Sequence, residues 1–121
     1  MDLEIIDFDL AICKVNSIAE IDFNDEFYFA SKTDDEISLV CKSDNVPSGV
    51  VECDIGWKSF RIKGILDFSL IGVISEISGI LAENDIGIFV VSTFNTDYVM
   101  VKKESFDKAM EVLANEGYCV I

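Results

Sequence analysis

Histidine is absent from all 121 residues, proline occurs once, and nine lysines and arginines stand against 23 aspartates and glutamates. Without histidine the most frequent general base and a principal zinc ligand are both missing. Neither a G-x-S-x-G nucleophile elbow nor a G-x-x-x-x-G-K-[ST] phosphate loop occurs. Enzymatic chemistry is therefore the least supported reading, and no catalytic residue is assigned. The four cysteines, Cys13, Cys41, Cys53 and Cys119, show no CxxC spacing, which argues against a zinc site. Cys13 and Cys41 lie in apolar, strand-like runs and read as reduced core thiols; no metal or cofactor is expected. The net charge of −14 repels nucleic acid and anionic membranes, so neither is an expected partner. No apolar run reaches the roughly 18 residues of a membrane helix; the densest, 86–94, is interrupted by Gly87 and Ser92. The start MDLEIIDFDL lacks the basic residues of a leader peptide, and a cytoplasmic chain is expected.

What is present points to an ordered fold. Half the residues are hydrophobic, enough to offset the conformational entropy of ordering a chain of this length. The charge is uneven: residues 1–55 carry 14 acids and 3 bases, residues 56–121 carry 9 acids and 6 bases. Solubility accounts for most of this acidity, with a weak bias toward cationic ligands as the sharper alternative.

Alternation from Leu3 to Val15 predicts a long first strand or a bent pair of strands. Residues 16–26 leave room for one helical turn. FYFASKT (27–33) and ISLVCK (37–42) read as strands joined by the acidic turn Asp34-Asp35-Glu36. That trio could suggest a metal site, but a solvated hairpin turn explains it better. SDNVPSG (43–49) reads as a loop, VVECDI (50–55) as another strand, and Gly56 as a junction between halves.

In the second half Trp57–Lys63 reads as a strand with Phe60 and Ile62 on one face. Leu70, Val73, Ile74, Ile77 and Leu81 form one apolar helical stripe, with Asp67 or Ser69 available as its cap. Ile86–Phe94 and Tyr98–Lys102 read as strands around an Asn95-Thr96-Asp97 turn. A second helix is expected from Ser105 with Phe106, Ala109, Met110 and Leu113 inward, ending at Gly117. Tyr118–Ile121 closes the series as a strand. The predicted class is α+β, with the order β-α-β-β-α-β of ferredoxin-like folds. Setting FYFASKTDDEISLV (27–40) over IFVVSTFNTDYVMV (88–101), at an offset of 61, aligns strand, polar turn and strand. The expectation is two units in tandem, 1–55 helix-poor and divergent, 56–121 complete.

The stretch DFSLIGVISEISGILAENDIGIFVVSTFNTDYVMV (67–101), and the helix after it, resembles an ACT domain, the small-molecule regulatory module of amino-acid metabolism. Asp67-Phe68-Ser69-Leu70-Ile71-Gly72 matches the D-x-x-x-x-G loop between the first strand and first helix of that family. TDDEISLVC (33–41) and STFNTDY (92–98) resemble stand-alone bacterial tandem-ACT proteins, which are related to aspartate kinase regulatory domains and CASTOR-type arginine sensors. The resemblance implies an amino-acid-binding regulator without catalysis, with ligand at the seam between paired ACT units and a homodimer as the assembly. Carried over by motif, Gly72 and Val73 would hold the ligand's α-carboxylate, and Thr93, Phe94 and Asp97 would meet a basic side chain.

Physical chemistry is compatible with those roles. Backbone N–H groups at a helix start favour a carboxylate, and Asp97 could pair with a guanidinium or ammonium group. Plainer roles exist for each: turn capping for Asp97, an ordinary strand residue for Thr93, close helix packing for Gly72. The alternative function is a protein–protein interaction module that kept the ACT shape, lost its ligand and presents its acidic first half to a protein partner.

Overall fold

Two strands, β1 (Asp2–Val15) and β4 (Glu52–Ile62), supply residues to both of the units into which the chain divides. The structure is a computed structural model and describes residues 1–63 and 72–121. One unit comprises Met1–Asp7 with Lys58–Ile121, the other Phe8–Trp57. Leu3, Ala11, Cys13 and Val15 along β1 are buried on one face, as an alternating pattern requires.

In the larger unit β4 is followed by α1 (Val73–Glu83), β5 (Phe89–Ser92), β6 (Asp97–Lys102), α2 (Lys103–Asn115) and β7 (Cys119–Val120). This is the expected β-α-β-β-α-β order, and the α+β class holds. The strands lie side by side as β7-β1-β4-β6-β5, so the start of β1 lies between β7 and β4. It runs parallel to β7, with Asp2 beside Cys119 and Leu3 beside Val120, and the Lys63 N–H donates to the Asp2 carbonyl at 2.9 Å. Phe60 and Ile62, two apart on β4, share one face and are fully buried against Ile77 and Leu81 of α1 and Phe106, Ala109 and Leu113 of α2. The three- and four-residue spacings predicted for both helices thus place their apolar stripes inward.

Several boundaries differ from the sequence-based expectation for local reasons. Residues 50–55 and 57–63 do not form two strands: β4 runs unbroken from Glu52 to Ile62 through Gly56, whose φ of +83° is left-handed and easy only for glycine. β5 is shorter than 86–94. Its N-terminal side is consumed by the end of α1, where the Ile86 N–H donates to the Leu81 carbonyl at 3.0 Å. Its C-terminal side stops because the Thr93 N–H and hydroxyl both donate to the Thr96 carbonyl, each at 2.8 Å. The turn is therefore 93–96, and Asp97 is the first residue of β6, opposite Ser92. The second helix begins at Lys103 rather than Ser105, because extended Lys102 ends β6 and serves directly as the helix cap position. The proposed caps Asp67 and Ser69 and the stripe residue Leu70 lie outside the described residues.

The smaller unit has the strand order β2-β3-β1-β4, with β2 (Tyr28–Lys32) and β3 (Ile37–Lys42) forming a hairpin. Ala11, Cys13, Val15, Leu39 and Cys41 make its core with Ile21. Among the described residues, the helical segments of this unit are two single 3₁₀ turns, Ile18–Glu20 and Ser43–Asn45. Ser17 and Glu20 close the first of these as a reciprocal capping box. Lys42 at the end of β3 lies 3.1 Å from Asp25 and 2.7 Å from Glu26 and sits over the Phe8 ring at 4.7 Å. The Lys42 ammonium holds the Asp25 carboxyl below its ordinary range.

The two hairpins match at an offset of 60, one less than the sequence alignment. Lys32 opposes Ile37 as Ser92 opposes Asp97. The Thr33 N–H donates to the Glu36 carbonyl at 2.9 Å, as that of Thr93 does to Thr96 at 2.8 Å. Along β3 and β6 the same three interior positions are buried, Leu39-Val40-Cys41 and Val99-Met100-Val101. The offset of 61 differs by one residue from this register, because hydrogen bonding at the turn, rather than strand identities, sets it.

Two substitutions test the packing. Leu81→Ala, at a fully buried site, is expected to cost about 2–5 kcal/mol in urea unfolding. Thr96→Val removes the hydroxyl that donates to the Ile62 carbonyl at 2.6 Å and is expected to cost about 1–3 kcal/mol. A loss below 0.5 kcal/mol at either site, which is roughly the size of an ordinary surface substitution, would contradict this account of the core.

Candidate functional site

Helix α1 is anchored to the core by its buried residues Ile77 and Leu81. Its cap, Gly72, has φ +86° and ψ −4°, a left-handed conformation. Among the described residues, a methyl group at Gly72 would meet nothing within 4 Å. Backbone conformation, rather than close packing, is thus the reason for glycine here. Glu76 N–H makes the first bond of the helix, to the Gly72 carbonyl at 2.9 Å, and Gly72 has no side chain with which to cap the N–H groups of the first turn.

This helix start opens on a cavity of about 510 Å³ lined by Met1, Gly72, Val73, Glu76, Gly117 and Tyr118. Gly117, left-handed at φ +102°, ends α2 and turns the chain so that the Tyr118 N–H donates to the Leu113 carbonyl at 3.2 Å. The Tyr118 hydroxyl then donates to Glu76 Oε1 at 2.7 Å. Burial, and donation to the Glu76 carboxylate, push the Tyr118 phenol up to about 12. One carboxylate, one phenol and a helix N-terminus therefore share one opening. Such a set can take a small zwitterion: N–H groups and helix dipole for its anionic end, Glu76 for its cationic end.

Of the residues singled out from sequence, Gly72 and Val73 line this cavity, whereas Thr93, Phe94 and Asp97 are not part of its lining. The latter three lie on the β5–β6 hairpin. Thr93 closes the turn, Phe94 is 81% exposed at its tip, and Asp97 begins β6, half-buried. Both groups nevertheless belong to one end of the larger unit's sheet. The Thr96 hydroxyl bonds to Ile62 at the end of β4, Lys63 bonds to Asp2, and Asp2 stands beside Cys119. Glu76 and Tyr118 were not found from sequence. They are 42 residues apart, and the only local signal was an acid four positions after Gly72, on the same helical face. Among the described residues, no group of three or more histidine, cysteine or carboxylate side chains is arranged to hold a metal ion.

The Tyr118–Glu76 contact has a pH signature. The folded phenol is raised above its ordinary value of 10, so the stability it contributes is present below pH 10 and is lost as pH rises from there through about 12. In absorbance titrations Glu76→Gln is expected to bring one tyrosine back toward its ordinary range, and Tyr118→Phe to delete that component. An unchanged titration curve in Glu76→Gln would show that the contact is not made in solution.

A family model described as an ACT domain matches residues 52–115, and a second model, for an N-terminal domain, matches residues 10–49. A crystal structure of an Agobacterium tumefaciens protein is similar with a TM-score of 0.87 and 32% identity, covering 99% of this chain and 91% of that one. The allosteric aspartate kinase of Clostridium acetobutylicum is similar in fold, with a TM-score of 0.66 at 13% identity over 88% of this chain and 32% of the kinase. Subunit 1 of the human cytosolic arginine sensor for mTORC1 is 38% identical over 58 residues, 47% of this chain. The bovine sensor matches equally, and the matched region spans 18% of the length of these relatives. With more than half of its residues matched by the family model, the chain belongs to the ACT domain family.

Proposed function

We propose that this protein is a non-catalytic, cytoplasmic regulatory module that binds a free amino acid, with a basic one as the favoured class. The observation that carries the reading is the opening at Gly72 and Val73, where a helix start and the Glu76 carboxylate face the same cavity. In this reading the ligand's α-carboxylate meets the N–H groups at Gly72–Val73. Thr93, Phe94 and Asp97 receive the side chain, with Asp97 paired to a guanidinium or ammonium group. A second ACT unit completes the site at a seam, the chain being a tandem of an N-terminal unit (1–55) and a C-terminal unit (56–121) that assembles as a homodimer. Family membership supports the regulatory role, and the identity shared with a protein named as an arginine sensor supports the basic ligand. Binding would act by changing how units or a partner protein associate.

Isothermal titration of the protein against the twenty amino acids tests this directly. Saturable binding of arginine or lysine is expected, and flat titrations throughout would refute the reading. Asp97→Asn is expected to weaken a basic ligand by about tenfold or more, as loss of a charge-assisted hydrogen bond does, while leaving the melting temperature near that of the wild type. Equal affinity in wild type and variant would remove Asp97 from the site.

A further inference from the structure

Three of the four cysteines converge in the smaller unit. Cys13 on β1 and Cys53 on β4 stand on neighbouring strands with their sulfurs 3.4 Å apart, and Cys41 on β3 borders Cys13 from the other side. The three differ in access: Cys13 and Cys41 are buried, whereas Cys53 is exposed. The thiol of Cys13 donates to the Cys53 sulfur, so the two atoms that would bond already face each other.

We propose that Cys13 and Cys53 are a redox-active pair that forms a disulfide when the protein meets a hydroperoxide, with Cys53 attacked first. The Cys53 sulfur displaces water from hydrogen peroxide and becomes a sulfenic acid. The Cys13 sulfur then attacks the Cys53 sulfur. The S–O bond breaks, hydroxide leaves with the Cys13 proton as a second water, and the S–S bond forms. Two thiols lose two electrons, and the peroxide takes them up. A dithiol reductant reverses the change. Closing the sulfurs from 3.4 Å to the disulfide bond length of about 2 Å is within reach of side-chain rotation. Exposure makes Cys53 the entry point. Burial also keeps Cys13 protonated well above the ordinary thiol range, which suits it to resolving an oxidised neighbour rather than to meeting the oxidant. Cys41 is as deeply buried as Cys13, so it does not compete with exposed Cys53 for the first step.

Peptide mapping distinguishes the possible products, because trypsin cuts after Lys14, Lys32, Lys42 and Lys58 and leaves Cys13, Cys41 and Cys53 on three separate peptides. The Cys119→Ser protein, which lacks the exposed thiol outside the cluster, is treated with hydrogen peroxide, alkylated, digested without reductant and analysed by mass spectrometry. The expected product joins peptides 1–14 and 43–58 with the loss of two hydrogens and separates on reduction. Cys53→Ser is expected to abolish that product and to leave Cys13 open to alkylation after unfolding. The proposal is overturned if Cys53 accumulates two or three oxygens while Cys13 stays free. It is equally overturned if the linked peptides are 1–14 and 33–42, or if Cys13 oxidises unchanged in Cys53→Ser.

Discussion

The hydroxyl of Thr96, buried and 2.6 Å from the carbonyl of Ile62, fixes the end of β4 against the start of β6, and the geometry around the cavity depends on that contact. A buried hydroxyl left without a partner is costly, so this position of the hairpin is strongly favoured over its neighbours. Once Ile62 is placed, Lys63 meets Asp2, Asp2 meets β7, and the chain beyond α2 brings Tyr118 to Glu76. Helix start, hairpin and last strand are thereby gathered at one end of one sheet by a run of local hydrogen bonds.

The same turn chemistry occurs twice. Thr33 and Thr93 each use the backbone N–H to close a four-residue loop onto the carbonyl three positions later, and each is followed by a strand ending in lysine, Lys42 or Lys102. The two chains diverge after that lysine. Beyond Lys102 the backbone continues for 13 residues as α2, whereas beyond Lys42 it makes a single 3₁₀ turn. The apolar spacing of Phe106, Ala109 and Leu113 supplies a helix with a face to bury; Ser43-Asp44-Asn45 has no such face and contains residues that favour turns.

Much of this was legible in the residues. The 3.6-residue spacing of Val73, Ile77 and Leu81 and the alternation of Phe60 and Ile62 specified elements and inward faces, because periodicity reports burial directly. Gly72 was legible as a special position, although its reason is a left-handed φ rather than close packing. Less was legible at boundaries. The Ile86–Phe94 run is β-prone throughout, yet only Phe89–Ser92 pairs as β5, because the helix end and the threonine turn take the flanking residues. Propensity cannot foresee that competition. Glu76 and Tyr118 were illegible for a different reason: neither belongs to a motif, and their partnership arises from two elements far apart in the chain.

The order of strands and helices, the stripes they bury, the acidity of the first half and the resemblance of residues 67–101 to an ACT domain were determined by the amino-acid sequence alone, since each rests on composition or short-range pattern. Tertiary structure decided which strand lies beside which, including the placement of Asp2 and Leu3 between β4 and β7. It also decided that Gly72 shares a cavity with Tyr118 and that Cys13 faces Cys53. Such neighbours are 40 or more residues apart in the chain, and only the burial of a common core brings side chains at that separation within bonding distance.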